Sequence, residues 1–502
     1  MNQPNSSRLS TTSLKFAALV INSSQPGHRR KRSRSAEREL AVPMRSVDGA
    51  TTGESSLRGS KWSKGLAPLF ALLLAVAVAP SSAWAASPAA GDNPNILVIL
   101  ADDLGIESLS TYGGKSHRTP HLDRLAASGI TFRHCFSNPY CSPSRGTLLT
   151  GRYPFRNGLK EVLFSAERQS DTYLHPDQPS FARQLKQAGY ATALGGKWHV
   201  SLEHRHNTIR DFGFDHYVTW QIFRTDGTKT ERYYEPHYIQ NSENISHRIK
   251  DRFGPDVSVD FLIDFIKASA ARRQPFLAFY SSILPHFPWV PTPDSTEQPT
   301  ALKTRDDVGD PKFFPDMVRY LDKQIGQLLQ TLEETGVAKN TIVLFLADNG
   351  TDHRLTNEWG EGRTIQGGTG TMTDRGTRVP LLVRWPGRIA PGSTCDDLVD
   401  FSDFLPTLCE LAGAPLPAAE LHGRSFAPQL RGLPGTPREW VHVQDKEARY
   451  LRSKDFILTN RNQLRPVVKI WETEPKPNAI PETEQMQIAR KTLQAAFDAL
   501  GK

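Results

Sequence analysis

From Asn95 to Leu100 the chain is a continuous apolar run that stops at Ala101-Asp102-Asp103. The same grammar recurs three times. Tyr190 to Leu194 runs into Gly195-Gly196-Lys197-Trp198-His199, Phe276 to Tyr280 leads on to Pro285-His286, and Thr341 to Leu346 runs into Ala347-Asp348-Asn349. Apolar runs without alternation are strands buried on both faces. Open α/β sheets collect their ligands at the carboxyl ends of such strands.

Helical segments separate the runs. Thr119-Pro120 opens one with Leu122, Leu125 and Ala126 on one face; Ser180 to Gly189 and Val257 to Ala270 read as two more. Asp316 to Thr335 lines up Met317, Val318, Leu321, Ile325, Leu328, Leu329 and Leu332 and stops at Gly336. After Val379 to Pro386 comes a further strand-loop-helix passage whose helix is Asp403 to Leu411. The predicted fold is therefore α/β: a doubly wound, mainly parallel sheet flanked by helices. From about Trp440 short segments of antiparallel character take over (Val441 to Val443, Tyr450 to Arg452, Phe456 to Thr459, Val467 to Trp471), closed by a helix from Glu484 to Leu500. The expected organisation is a catalytic domain at 93–437 and a small C-terminal α+β subdomain at 438–502.

The formal charge of +8 suggests a polyanionic partner until it is located. Residues 1–85 carry 12 of the 61 Lys/Arg and 4 of the 53 Asp/Glu, so the remaining chain balances at 49 of each. A nucleic-acid partner is not expected. Within that leader, Lys61 and Lys64 precede an apolar run from Leu66 to Ala79, followed by Ala83-Trp84-Ala85. The run is too short to span a bilayer and ends in a cleavage pattern, so 61–85 reads as a signal peptide. Residues 1–60 are a disordered extension or lie upstream of a start at Met44. A periplasmic or secreted protein without a stable membrane anchor is expected. Four cysteines in so long an exported chain do not make a disulfide scaffold.

One of them sits in Asn138-Pro-Tyr-Cys-Ser-Pro-Ser-Arg-Gly-Thr-Leu-Leu-Thr-Gly-Arg152. Ser142-Pro143 is a helix-start signal, with serine able to accept orphan amide hydrogens and proline tolerated at the first helical position. Cys141 at a helix N-terminus suits a thiolate nucleophile or a residue that meets an anionic substrate. Asp102-Asp103 and Asp348-Asn349 offer oxygen ligands at two strand ends, a set for calcium or magnesium rather than zinc. Lys197, His199 and His286 on neighbouring loops fit an anionic oxoester: cations hold the non-bridging oxygens, and an imidazole protonates the leaving alkoxide.

Cys141-Ser-Pro-Ser-Arg145 with Leu149-Thr-Gly-Arg152 resembles the signature of the type I sulfatases of the alkaline-phosphatase superfamily, whose cysteine is oxidised to Cα-formylglycine. The resemblance extends through Asn95 to Gly105, Thr119 to Ala126, Gly196-Lys-Trp-His199, Pro285-His-Phe-Pro288, Ala347-Asp-Asn-Gly350, Arg378-Val-Pro380 and Asp403 to Leu408. It implies a sulfuric ester hydrolase in which Asp102, Asp103, Asp348, Asn349 and the formylglycine at 141 bind Ca²⁺. One hydroxyl of the aldehyde hydrate attacks sulfur; deprotonation of the other, by His199, expels sulfate and restores the aldehyde. Arg145 would orient the hydrate, Lys197 would contact hydrate and sulfate, and His286 would be the acid for the leaving oxygen. A formylglycine-generating enzyme is the implied transient partner.

The sequence departs from the family at one position. Sulfatases carry a second substrate-contacting lysine in a Gly-Lys-Gly run before Arg-Val-Pro, where this chain has Thr369. Arg363 or Arg375 is a candidate replacement. A sulfated carbohydrate is the preferred substrate over a simple aryl sulfate, and Trp220, Arg224, Arg232, His353 and Arg354 are candidates to line its pocket. Two alternatives stand beside this reading: a phosphodiesterase or phosphonate ester hydrolase of the same superfamily, and a non-catalytic glycan-binding protein on the same scaffold.

Overall fold

The computed structural model describes residues 93–163, 172–203, 206–297, 309–475 and 481–501. The leader segments at 1–60 and 61–85 lie outside them. Among the described residues no helix is long and apolar enough to cross a membrane.

The unalternating runs form the centre of a ten-stranded sheet. Its strands are β1 (Asn95–Ala101), β2 (Ile130–Phe136), β3 (Ala191–Gly196), β4 (His216–Trp220), β5 (Tyr238–Gln240), β6 (Glu243–Asn244), β7 (Phe276–Ser281) and β8 (Thr341–Ala347), with two more contributed after residue 377. A separate hairpin pairs β9 (Thr356–Trp359) with β10 (Arg363–Gln366). The late strands of the large sheet are β11 (Arg378–Arg384) and β12 (Ser393–Asp400). The spatial order is β12-β2-β11-β8-β1-β7-β3-β4-β5-β6. β8, β1, β7, β3 and β4 run parallel, as the buried runs predict. β11 is reversed against both β2 and β8. That reversal has a functional consequence: it delivers the loop before Arg378, including Thr369, to the carboxyl edge of the parallel strands.

Helices cover the sheet as the 3.6-residue pattern requires. Phe314–Glu334 buries Met317, Val318, Leu321, Ile325, Leu328, Leu329 and Leu332, each contributing about 1.5–3 kcal/mol relative to exposure. It starts two residues earlier than the sequence suggests, because Pro315 fits the first turn.

The C-terminal strands form an antiparallel meander of β13 (Val441–Asp445), β14 (Ala448–Arg452), β15 (Phe456–Thr459) and β16 (Leu464–Pro466). Alternation splits their side chains. Leu451, Leu458 and Leu464 pack on Met486 and Leu493 of the helix Glu484–Leu500, while Val443, Tyr450 and Ile457 form a cluster with Met372. The expected strand at Val467 to Trp471 is absent. Pro466 has no amide hydrogen to extend the ladder, and Ile470 buries instead against Ile106 and Ile365, with Trp471 against the same cluster.

Candidate active site

β2 leads into the helix Cys141–Thr150, all ten residues of which are buried. The helix begins at Cys141, but Ser142 is not its cap: Tyr140 holds the N-cap position without a side-chain bond. The Ser142 hydroxyl instead accepts from the amide of Leu163 at 3.2 Å, and Ser144 ties the entry by donating to the Tyr140 carbonyl at 2.8 Å.

Cys141 is 7% exposed. Its Sγ lies 3.1 Å from Nδ1 of His199. The other ring nitrogen, Nε2, lies 2.9 Å from the carbonyl of Leu163, which can only accept. Nε2 therefore carries the hydrogen, Nδ1 is the acceptor, and the thiol donates. Burial pushes the Cys141 thiol up to about 12 despite Lys197, with Asp348 and Asp102 adding to the rise. Of the two roles open to a cysteine at a helix start, burial disfavours the thiolate. Burial likewise holds His199 well below the ordinary imidazole range, aided by Lys197.

The polar loops after β1, β3, β7 and β8 meet above this helix. Lys197 Nζ donates to both oxygens of Asp102 at 2.9 and 2.7 Å. Arg145 donates through Nε and Nη2 to Asp348 Oδ2 at 2.9 and 2.7 Å, and through Nη1 to Ser281 Oγ at 2.5 Å. Ser281 in turn donates to the Lys197 carbonyl at 2.6 Å. Burial would raise Asp102, but Lys197, His286 and Arg145 override it and hold the carboxyl below its usual range. Asp103 is pushed well up by burial and by Asp102 and Asp348, and Asp348 rises to about 7 by burial and Asp102.

Three crowded buried carboxyls are a donor set short of positive charge. Asn349 completes it: its Nδ2 donates to Asp103 Oδ1 at 2.5 Å and Thr369 Oγ1 at 3.3 Å, leaving Oδ1 buried without a partner. Ligand atoms of Asp102, Asp103 and His286 lie within 4.8 Å of one another. The carboxylate oxygens of Asp102, Asp103 and Asp348 with the orphaned amide oxygen of Asn349 fit a hard divalent cation, His286 being the single nitrogen beside them.

His286 sits on the open side, with its side chain 26% exposed and Nε2 3.7 Å from Asp103 Oδ2. Arg232, 4% exposed, places Nη1 3.0 Å from Nδ1 of His286 and its guanidinium 4.4 Å over the Trp220 ring. Burial, with Lys197 and Arg232 opposing Asp102, brings His286 down to about 3. Arg354 is held by Asp352 at 2.9 and 2.7 Å and lies over Phe287 and Trp289 at 4.0 and 4.7 Å.

The fold thus brings together Asp102, Asp103, Cys141, Arg145, Lys197, His199, His286, Asp348, Asn349 and Thr369. Arg363 does not join them: it pairs with Glu361 at 2.5 Å and lies over Trp471 at 4.6 Å. Ser281 and the Leu163 carbonyl were not legible beforehand. Ser281 closes an apolar run, and a carbonyl has no sequence signature.

A buried oxygen-donor cluster, two lysine- and arginine-bound aspartates and an imidazole facing residue 141 define a hydrolase of anionic esters at the edge of a doubly wound sheet. The chain matches the sulfatase family over residues 94–414. It is 32% identical to arylsulfatase A of Homo sapiens over 376 residues, 71% of each chain. It is 31% identical to N-acetylgalactosamine-6-sulfatase of Canis lupus familiaris, over 70% of this chain and 69% of that one. Among solved structures, Ps i-CgsB superimposes with a TM-score of 0.67 at 22% identity, over 81% of this chain and 92% of that one. The chain belongs to the sulfatase family and is a sulfuric ester hydrolase.

Proposed function

We propose that this sulfatase is exported and hydrolyses the sulfate ester of a carbohydrate, using a formylglycine made from Cys141 together with Ca²⁺. The observation that carries the proposal is the pair formed by residue 141 and the acceptor nitrogen Nδ1 of His199. A thiol held protonated by burial is a poor sulfur nucleophile, whereas a formylglycine hydrate at the same position would supply an oxygen nucleophile and a second hydroxyl through which sulfate departs.

Asp102, Asp103, Asp348 and Asn349, with residue 141, would hold the cation, which would supply charge neutralisation to the sulfate oxygens. The chain's own groups do the rest. Arg145, fixed by Asp348 and Ser281, holds the helix start and its reacting residue in register. Lys197 presents an ammonium to sulfate oxygens from its seat on Asp102. Nδ1 of His199 takes the proton of the group at 141. His286, on the open side, delivers a proton to the leaving alcohol.

Carbohydrate is favoured because relatives include N-acetylgalactosamine-6-sulfatases, and one fold neighbour was solved with its substrate D-glucosamine-2-N,6-O-disulfate. Arg354, its side chain 43% exposed over Phe287 and Trp289, offers a cationic group to such a substrate, while Arg232 and Trp220 are buried and back His286. Export follows from the 61–85 leader pattern.

Mass spectrometry of the tryptic fragment containing residue 141 tests the nucleophile, because CH₂SH to CHO removes about 18 Da. Purified protein should then hydrolyse sulfate esters in preference to matched phosphate esters. A clear phosphate preference would make it a phosphoryl hydrolase of the same superfamily, and an unmodified thiol from the native host would overturn the mechanism. Thr369 is the observation that favours a non-catalytic glycan binder, and that same unmodified thiol is the result it requires.

A further inference from the structure

A second concave surface lies away from the Cys141 centre. It is a cavity of about 490 Å³ whose floor includes Thr131 and Arg133 of β2 and Thr394 of β12, walled by Tyr112, Trp359 and Trp471. Thr394 stands opposite Thr131, and Arg378 stands opposite Phe136. The lining follows β2 from Thr131 to Arg133, roughly 7 Å at about 3.3 Å per residue, and Arg378 reaches back along it to the Arg133 carbonyl. It runs toward the edge from which the chain continues to Cys141.

Its charge is one-sided. Arg133, Arg378 and Lys469 line it, and no carboxylate does. Arg133 also meets Asp396 at 3.4 Å, but with both side chains more than half exposed (54% and 58%) that contact is weak. Arg378 spends Nε and Nη2 on the Arg133 carbonyl at 2.9 and 2.7 Å. The carboxylate in its field, Asp374, is taken by both Nε and Nη2 of Arg452, at 3.0 and 2.9 Å. Between the cations stand two half-buried indoles, Trp359 and Trp471, 6.2 Å apart and inclined at 42°. Lys469 keeps its ammonium 5.5 Å from the Trp471 ring, so charge and aromatic surface belong to one patch.

We infer that this groove is a second binding site for a sulfated oligosaccharide, which it holds while another part of the same chain occupies the Cys141 centre. Saccharide rings have apolar C–H faces that suit indole walls, and their sulfates suit the weakly paired Arg133 guanidinium and the Lys469 ammonium. A cavity of this size takes a short oligosaccharide segment rather than a lone ion. The ligand class rests on the carbohydrate reading above, but the site is tested by binding rather than turnover.

The experiment is a calorimetric titration of the full chain with a heparin hexasaccharide, its desulfated form, inorganic sulfate and a single-stranded oligonucleotide at one ionic strength. Wild-type protein should bind the sulfated hexasaccharide best. Trp471→Ala and the double variant Arg133→Ala/Lys469→Ala should each weaken that binding about tenfold, with turnover of a small aryl sulfate unchanged. The double variant alters only exposed side chains and leaves the fold intact if Trp471→Ala does not. Equal affinity of wild type and double variant for the hexasaccharide would overturn the inference, as would tighter binding of the oligonucleotide or of inorganic sulfate. If the enzyme cleaves aryl sulfates but no sulfated sugar, the carbohydrate substrate fails while the titration still decides the groove.

Discussion

At residue 286 the environment and the proposed task pull against each other. Burial and two cations keep the imidazole neutral, yet the leaving alcohol needs a proton from it. The requirement bites only when the leaving group is basic. His286→Ala should therefore cost on the order of 10²–10⁴-fold with alkyl or sugar sulfates and much less with activated aryl sulfates, measured as kcat/KM on a matched leaving-group series. Equal losses would assign His286 to sulfate binding. Thr369 makes a second prediction. Its hydroxyl accepts from Asn349 Nδ2 and donates to the Gly350 carbonyl, which leaves Asn349 Oδ1 free. Under the proposed mechanism, the family's lysine position would here aim Asn349 at the cation. Thr369→Val, nearly equal in shape, should weaken Ca²⁺ binding roughly tenfold, as outer-shell losses do, by titration against a chelator.

At the scale of elements, the short turn Asp374–Thr377 joins the Thr369 loop to β11, and it is pinned from the C-terminal sheet by the two-pronged bond of Arg452 to Asp374. Arg452 is 2% exposed and Asp374 7%. Arg452→Met should cost about 3–5 kcal/mol by leaving a buried carboxylate unpaired, read from urea unfolding, and Asp374→Asn in that background should recover part of it. This bond shows where sequence reading stops. β1, β3, β7 and β8 announce themselves because both faces are buried and their ends are polar, and the convergence of the candidate residues on those ends was legible with them. β2 was not, since Arg133 and His134 interrupt its apolar pattern; β12 was expected as a strand before the Asp403 helix but without bounds, because Asp396 and Asp397 interrupt its own. Nor was the reversal of β11, which depends on its partners rather than its composition. The cap of Cys141–Thr150 was misread because Ser142 and Ser144 both satisfy local rules and only tertiary contacts with Leu163 and Asn138 separate them.

Across the whole molecule, the antiparallel meander meets the large sheet through Phe136, Leu398 and Val441, and neutral imidazoles stand on the elements around that contact. His442 and His422 stack on the two faces of Tyr153 at 4.3 and 4.5 Å, and His134 lies on β2 in the field of Arg378 and Arg452. Burial lowers His134 and His422 to about 4 and holds His442 well below its ordinary value, with Arg449 and His422 adding to the effect. Unfolded histidine titrates near 6.5, so between about 6.5 and 4 the unfolded chain binds more protons than the folded one. The contribution is present in full above pH 6.5 and is lost as pH falls through that window. Buried acids such as Glu107 and Glu203, raised by burial, act with the opposite sign, so the melting curve of wild type alone does not isolate the imidazoles. The difference between two proteins does. His442→Phe keeps the aromatic contact with Tyr153 and removes the titrating group. Its melting temperature relative to wild type should rise by a few degrees as pH falls from 7 to 4.5, and amide exchange in β13 and β14 should become less acid-sensitive. A temperature gap that stays constant across that range would mean that the imidazoles merely pack, and that acid opens the molecule somewhere other than the seam between its two main sheets.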